Sequence, residues 1–124
     1  MSIEQKIIGS GIMFLLTIGA GFLLSNSGKP YNTAIFTIHK LIALGVVILT
    51  GILIFNLQEN LKLETGTILL IILAIVSILA LFVSGVLLSI GKVPYLTAKI
   101  IHIIAPITAV ISIGLSIYLM LKKR

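Results

Sequence analysis

Four continuously apolar, charge-free stretches run along the chain: Ile7–Gly28, Leu41–Gln58, Thr65–Gly91 and Ile100–Leu121. Apolar residues do not alternate with polar ones within them, as they would in the strands of a membrane barrel. A membrane-spanning helix needs about 20 mostly apolar residues. Each stretch is long enough, the second with help from its flanks. The pattern predicts helices from about Ile7 to Leu24, Thr33 to Leu57, Gly66 to Leu88 and Thr97 to Leu121. The segments between are turns by composition. Ser25–Asn32 is rich in Ser, Asn, Gly and Pro, Ser89–Leu96 mirrors it, and Asn56–Thr65 is the one acidic loop. Thr33 is the expected N-cap of the second helix. Pro106 has no N–H for the carbonyl of His102, which predicts a kink there.

The second level of pattern is a repeat. Gly28-Lys29-Pro30-Tyr31-Asn32-Thr33-Ala34-Ile35-Phe36-Thr37-Ile38-His39 is echoed by Gly91-Lys92-Val93-Pro94-Tyr95-Leu96-Thr97-Ala98-Lys99-Ile100-Ile101-His102. In each copy a Gly-Lys pair stands eleven residues before a histidine. Upstream, Gly21-Phe22-Leu23-Leu24-Ser25 matches Gly85-Val86-Leu87-Leu88-Ser89, with a one-residue slip before the Gly-Lys. The expected fold is therefore an all-α membrane protein. It is a four-helix transmembrane bundle of two tandem two-helix repeats, about residues 7–57 and 66–121, in a single domain over residues 1–124.

Composition agrees: 59% of residues are hydrophobic and 10% charged, too little polar surface for a soluble domain of this size. There is no cysteine, which excludes disulfides, thiolate metal sites and thiol redox chemistry. The first apolar segment is long and takes part in the repeat, so it is read as a permanent helix rather than a signal peptide. With four crossings, both termini and the acidic loop share one side with Lys6, Lys62, Lys122, Lys123 and Arg124. Lys29, Lys40, Lys92 and Lys99 lie on the other. Five basic residues against four, with the C-terminal triplet, favour cytoplasmic termini in a prokaryotic cytoplasmic membrane. The basic residues line membrane edges rather than one soluble face, which argues against nucleic-acid binding. Much apolar surface is left for lipid or for a second copy in a homodimer.

His39 and His102 are the only histidines. In a parallel repeat they lie at the same depth. His39 is about 9 Å along its helix at about 1.5 Å per residue, just below the membrane boundary. In an up-down-up-down bundle, helices two and four lie on a diagonal of roughly 11–14 Å. That span suits two imidazoles reaching one metal centre with a flat macrocycle between them, and haem iron is commonly held by axial histidines. A bare zinc ion would want three or four protein ligands, and no carboxylate lies in the helices. Lys29, Lys40, Lys92 and Lys99 form a basic rim near the histidines, suited to haem propionates or an anionic donor. Small residues on helix one, among them Gly9, Gly19 and Gly21, permit close approach by a helix or a flat ligand. Tyr31, Tyr95 and Tyr118 read as interfacial belt residues. The Gly-Lys pairs read as turn glycines with interfacial lysines, being too short for a phosphate loop.

With one histidine in the context His39-Lys40-Leu41-Ile42-Ala43-Leu44 and a partner at His102, the chain resembles the small b-type membrane cytochromes of the cytochrome b561-like kind. The resemblance covers the architecture of the whole chain, with His39 and His102 as its matching functional positions. It implies one bis-histidine haem b per chain and electron transfer with a quinone or redox protein. Members of that superfamily commonly hold two haems with four histidines, and this chain has ligands for one. The competing expectations are a haem-free small transporter or structural subunit, and a haem carrier or sensor. No Asp or Glu lies within the spans to couple ions, which weighs against transport.

Overall fold

The computed structural model describes residues 1–28 and 31–124. Its regular elements are four helices: α1 (Ile3–Ser27), α2 (Thr33–Gln58), α3 (Thr65–Ile90) and α4 (Tyr95–Lys123). All four are long and apolar enough to cross a membrane. At about 1.5 Å per residue they reach about 37–44 Å, against a hydrocarbon core of about 30 Å. Large apolar side chains such as Phe22, Phe55, Leu69 and Ile107 are exposed along them, as lipid contact requires. The chain is an integral, all-α membrane protein, and it divides into two compact units, Met1–Leu57 and Gln58–Arg124.

α1, α2 and α4 are longer than their charge-free stretches, and at the starts of α1 and α2 local hydrogen bonds carry the helix through polar ends. Before α1, Ser2 and Gln5 form a reciprocal capping box. The Gln5 amide donates to Ser2 Oγ at 3.1 Å, and the Ser2 amide donates to Gln5 Oε1 at 2.9 Å. Glu4 and Lys6 are thereby helical despite their charge. The cap of α2 is Asn32 rather than Thr33: Asn32 Oδ1 accepts from the Ile35 amide at 3.1 Å, and Thr33 is the first helical residue. Gly91 ends α3 in the left-handed conformation, φ 74°, with its N–H on the Leu87 carbonyl. Gly28 follows α1 with φ 67°, ψ −176°, a region open essentially to glycine alone. Both Gly-Lys glycines are thus the turn glycines expected of them. α4 continues through Pro106 as one helix.

The first unit packs α1 on α2 by seating side chains against glycine. Leu49 lies 3.5 Å from where a Cβ on Gly9 would be, and the Met13 methyl 2.6 Å from that of Gly45. Thr50, Leu53 and Leu57 form a buried face of α2.

The second unit packs α3 on α4 along stripes of small residues. Thr67, Ala74, Ser77 and Ser84 are buried on α3, and Ala98, Ala105, Ala109, Ser112 and Ser116 on α4. Their spacing of three, four or seven keeps them on one helix face. Lipid offers no hydrophobic gain for pairing helices, so close backbone approach through small residues is what remains. The serine hydroxyls are satisfied inside their own helices. Ser77 donates to the Leu73 carbonyl at 2.8 Å, Ser112 to Thr108 at 2.8 Å and Ser116 to Ser112 at 2.7 Å. At the far end, Lys123 Nζ bonds the Lys62 carbonyl at 3.2 Å and pairs with Glu64 at 3.1 Å, tying the end of α4 to the loop before α3.

The glycine geometry makes a contrast that unfolding in detergent can measure. Gly91→Ala forces a side chain into the left-handed region and costs about 1–2 kcal/mol. Gly114→Ala, where an added Cβ meets open space within a helix, is expected to stabilise by up to about 1 kcal/mol.

Candidate functional site

The first unit holds His39, the seventh residue of α2. Its ring crosses to α1, where Nδ1 lies 2.9 Å from the carbonyl oxygen of Thr17. A carbonyl only accepts, so Nδ1 carries the ring proton and donates it. The ring reaches that carbonyl because Gly21, one turn further along α1, has no side chain. A Cβ there would stand 3.0 Å from Cε1, 3.5 Å from Nδ1 and 3.7 Å from Nε2 of the imidazole.

The second unit builds the same contact from equivalent residues. His102, the eighth residue of α4, places Nδ1 3.1 Å from the Leu81 carbonyl of α3. Gly85 is again one turn beyond the accepting carbonyl, and a Cβ on it would meet Cε1 at 3.2 Å. Thr17 precedes Gly21 by four residues, as Leu81 precedes Gly85. The one-residue slip of the repeat falls between the glycine and the histidine, where turns of different length absorb it, and the contact itself is preserved.

One element differs. Ser84 Oγ lies 3.0 Å from His102 Nδ1 and donates its own hydrogen to the Leu81 carbonyl at 2.9 Å. Ser84 is therefore an acceptor from the ring. The corresponding residue on α1, just before Gly21, is Ala20.

In a neutral ring with the proton on Nδ1, the lone pair belongs to Nε2. Metal-binding histidines are characteristically held this way, the non-ligating N–H donated to a carbonyl or carboxylate so that tautomer and ring direction are fixed. No group of three or more His, Asp or Glu side chains that could hold a metal ion occurs among the described residues.

Of the lysines assigned to the rim, Lys40 lies 4.3 Å from the ring centre of Phe36, which in turn stacks on Tyr31 at 5.8 Å. Lys99 lies 5.5 Å from the ring centre of Tyr95. Cation–π contacts thus hold both ammonium groups beside aromatic rings. Lys92 is exposed in the turn before α4, and Lys29 lies outside the described residues. The sequence singled out both histidines but not the residues their rings contact, Thr17, Gly21, Leu81, Ser84 and Gly85. The repeat had already aligned Gly21 with Gly85, and that pairing was the available signal.

No protein-family model matches the chain, and neither a curated protein nor a solved structure matches it.

The glycines are tested by filling them. Gly21→Val and Gly85→Val are expected to drive the imidazoles off the Thr17 and Leu81 carbonyls, with alanine having a smaller effect in the same direction. Ring nitrogen NMR of the two histidines reads this as loss of a pure Nδ1-protonated tautomer. Unchanged ring shifts in both valine variants would show that the glycines do not hold the contact.

Proposed function

We propose that the chain is a small b-type membrane cytochrome with His39 and His102 as the axial ligands of one haem b. The observation that carries this reading is the duplicated histidine contact. Two imidazoles, one per repeat, each set Nδ1 on a backbone carbonyl beside a glycine, the ring orientation in which Nε2 would be the coordinating nitrogen. The donor set fits: two neutral nitrogens without carboxylate or thiolate suit haem iron better than a bare divalent ion. Bound there, haem b supplies a reversible one-electron couple, with a membrane quinol or a reduced redox protein as donor.

The chain's own contribution would be orientation and charge. In this reading Lys40, Lys92 and Lys99, with Lys29 of the sequence repeat, would neutralise the propionates or attract an anionic donor. The competing reading rests on the same rings. An imidazole bonded to a neighbouring helix is also an interhelical clamp, as a haem-free structural subunit would need.

An absorption spectrum of the full chain purified in detergent, before and after dithionite, separates the two. The cytochrome reading expects a sharp Soret band and resolved α and β bands on reduction, the signature of six-coordinate low-spin haem. His39→Ala and His102→Ala should each abolish that signature. A featureless spectrum after haem is supplied during expression, or full six-coordinate haem in both variants, would leave the histidines as clamps. Lys40→Gln with Lys99→Gln is expected to weaken haem retention several-fold while preserving the low-spin bands, each surface charge contact being worth up to about 1 kcal/mol.

A further inference from the structure

The two histidine contacts are equivalent except at one position, and that position bears a hydroxyl in only one copy. Ser84 is almost fully buried, at 1% exposure, on the helix turn that faces His102. Buried serines on α3 and α4 such as Ser77, Ser112 and Ser116 spend their hydroxyls on their own helices. Ser84 also donates within its helix, to Leu81, but its oxygen lies 3.0 Å from a side-chain nitrogen of α4. Because its hydrogen is committed to the Leu81 carbonyl, its lone pair faces the ring N–H. Each bond in the ring formed by His102 Nδ1, Ser84 Oγ and the Leu81 carbonyl polarises the next.

We infer that Ser84 is a positioning residue for His102, holding its Nδ1 proton and raising the electron donation of its Nε2. This rests on the haem reading above. A second acceptor on Nδ1–H makes the imidazole a more basic ligand, and a more basic axial ligand favours oxidised over reduced iron. Ala20 supplies no hydroxyl at the matching place beside His39, so the two ligand positions are chemically distinct and one of them can be tuned alone.

The test uses Ser84→Ala, Ser84→Thr and the reciprocal Ala20→Ser in the full chain. One hydrogen bond corresponds to about a fivefold change in an equilibrium. Expressed as a midpoint potential, fivefold is about 40 mV at 59 mV per tenfold for one electron. Ser84→Ala is expected to raise the potential by about that amount with the low-spin bands intact, Ser84→Thr to restore it, and Ala20→Ser to lower it. A potential that does not move in Ser84→Ala overturns the inference, because a merely structural serine would change stability and not the couple. Ring nitrogen NMR of the haem-free protein gives a readout independent of the cofactor. The His102 Nδ1 resonance should shift in Ser84→Ala, and an unmoved resonance also overturns the proposal. If the wild-type chain takes up no haem while that resonance does shift, the cytochrome reading fails and the positioning role of Ser84 stands.

Discussion

A side-chain N–H donated to a helical carbonyl inside a membrane is the interaction on which the local architecture turns. In hydrocarbon an imidazole N–H has no water to fall back on, so leaving it unpaired is costly. Thr17 and Leu81 offer oxygens that already belong to the α1 and α3 ladders, and that of Leu81 also takes the Ser84 hydroxyl. Such a carbonyl lies close to the helix axis and is normally fenced by the side chain one turn on. Glycine at positions 21 and 85 removes that fence. The histidine on one helix therefore requires a glycine on its partner, and the pair travels together through the repeat.

Around this shared contact the two units have diverged in how they pack. The first places large side chains, Leu49 and Met13, against glycines. The second brings two helices together along alanines and serines whose hydroxyls turn back into their own backbones. Both solve the membrane's problem, in which apolar contact with a neighbouring helix gains little over contact with lipid. The solutions differ in consequence. A glycine that receives a flexible methionine tolerates adjustment, whereas a stripe of small residues fixes the spacing of its two helices more closely.

The four spans were legible in the sequence because a helix that keeps some twenty consecutive residues free of charge is built to sit in hydrocarbon. The ends were less so. Glu4 and Lys6 looked like flank, and a capping box made them helix; Asn32 rather than Thr33 closed the first turn of α2 because its amide oxygen reaches the Ile35 amide. The histidines stood out through their pairing in the repeat. Their partners stood out less, since only the alignment with Gly85 in the repeat separates Gly21, which faces a ring, from Gly11 or Gly19, which meet open space. Backbone acceptors such as Thr17 and Leu81 leave no mark on residue identity at all. Ser84 was visible only as one more small residue of α3.

Each imidazole is anchored within its own hairpin, and this bears on the order in which the protein is made. α1 and α2 leave the ribosome before α3 and α4, and the contact of His39 with Thr17 and Gly21 uses nothing synthesised later. The first half can mature as a finished piece while the second is still being translated. The second half builds its own contact from residues of α3 and α4. A duplicated hairpin is in this sense a chain assembled from two halves, each carrying the residues of its own histidine contact.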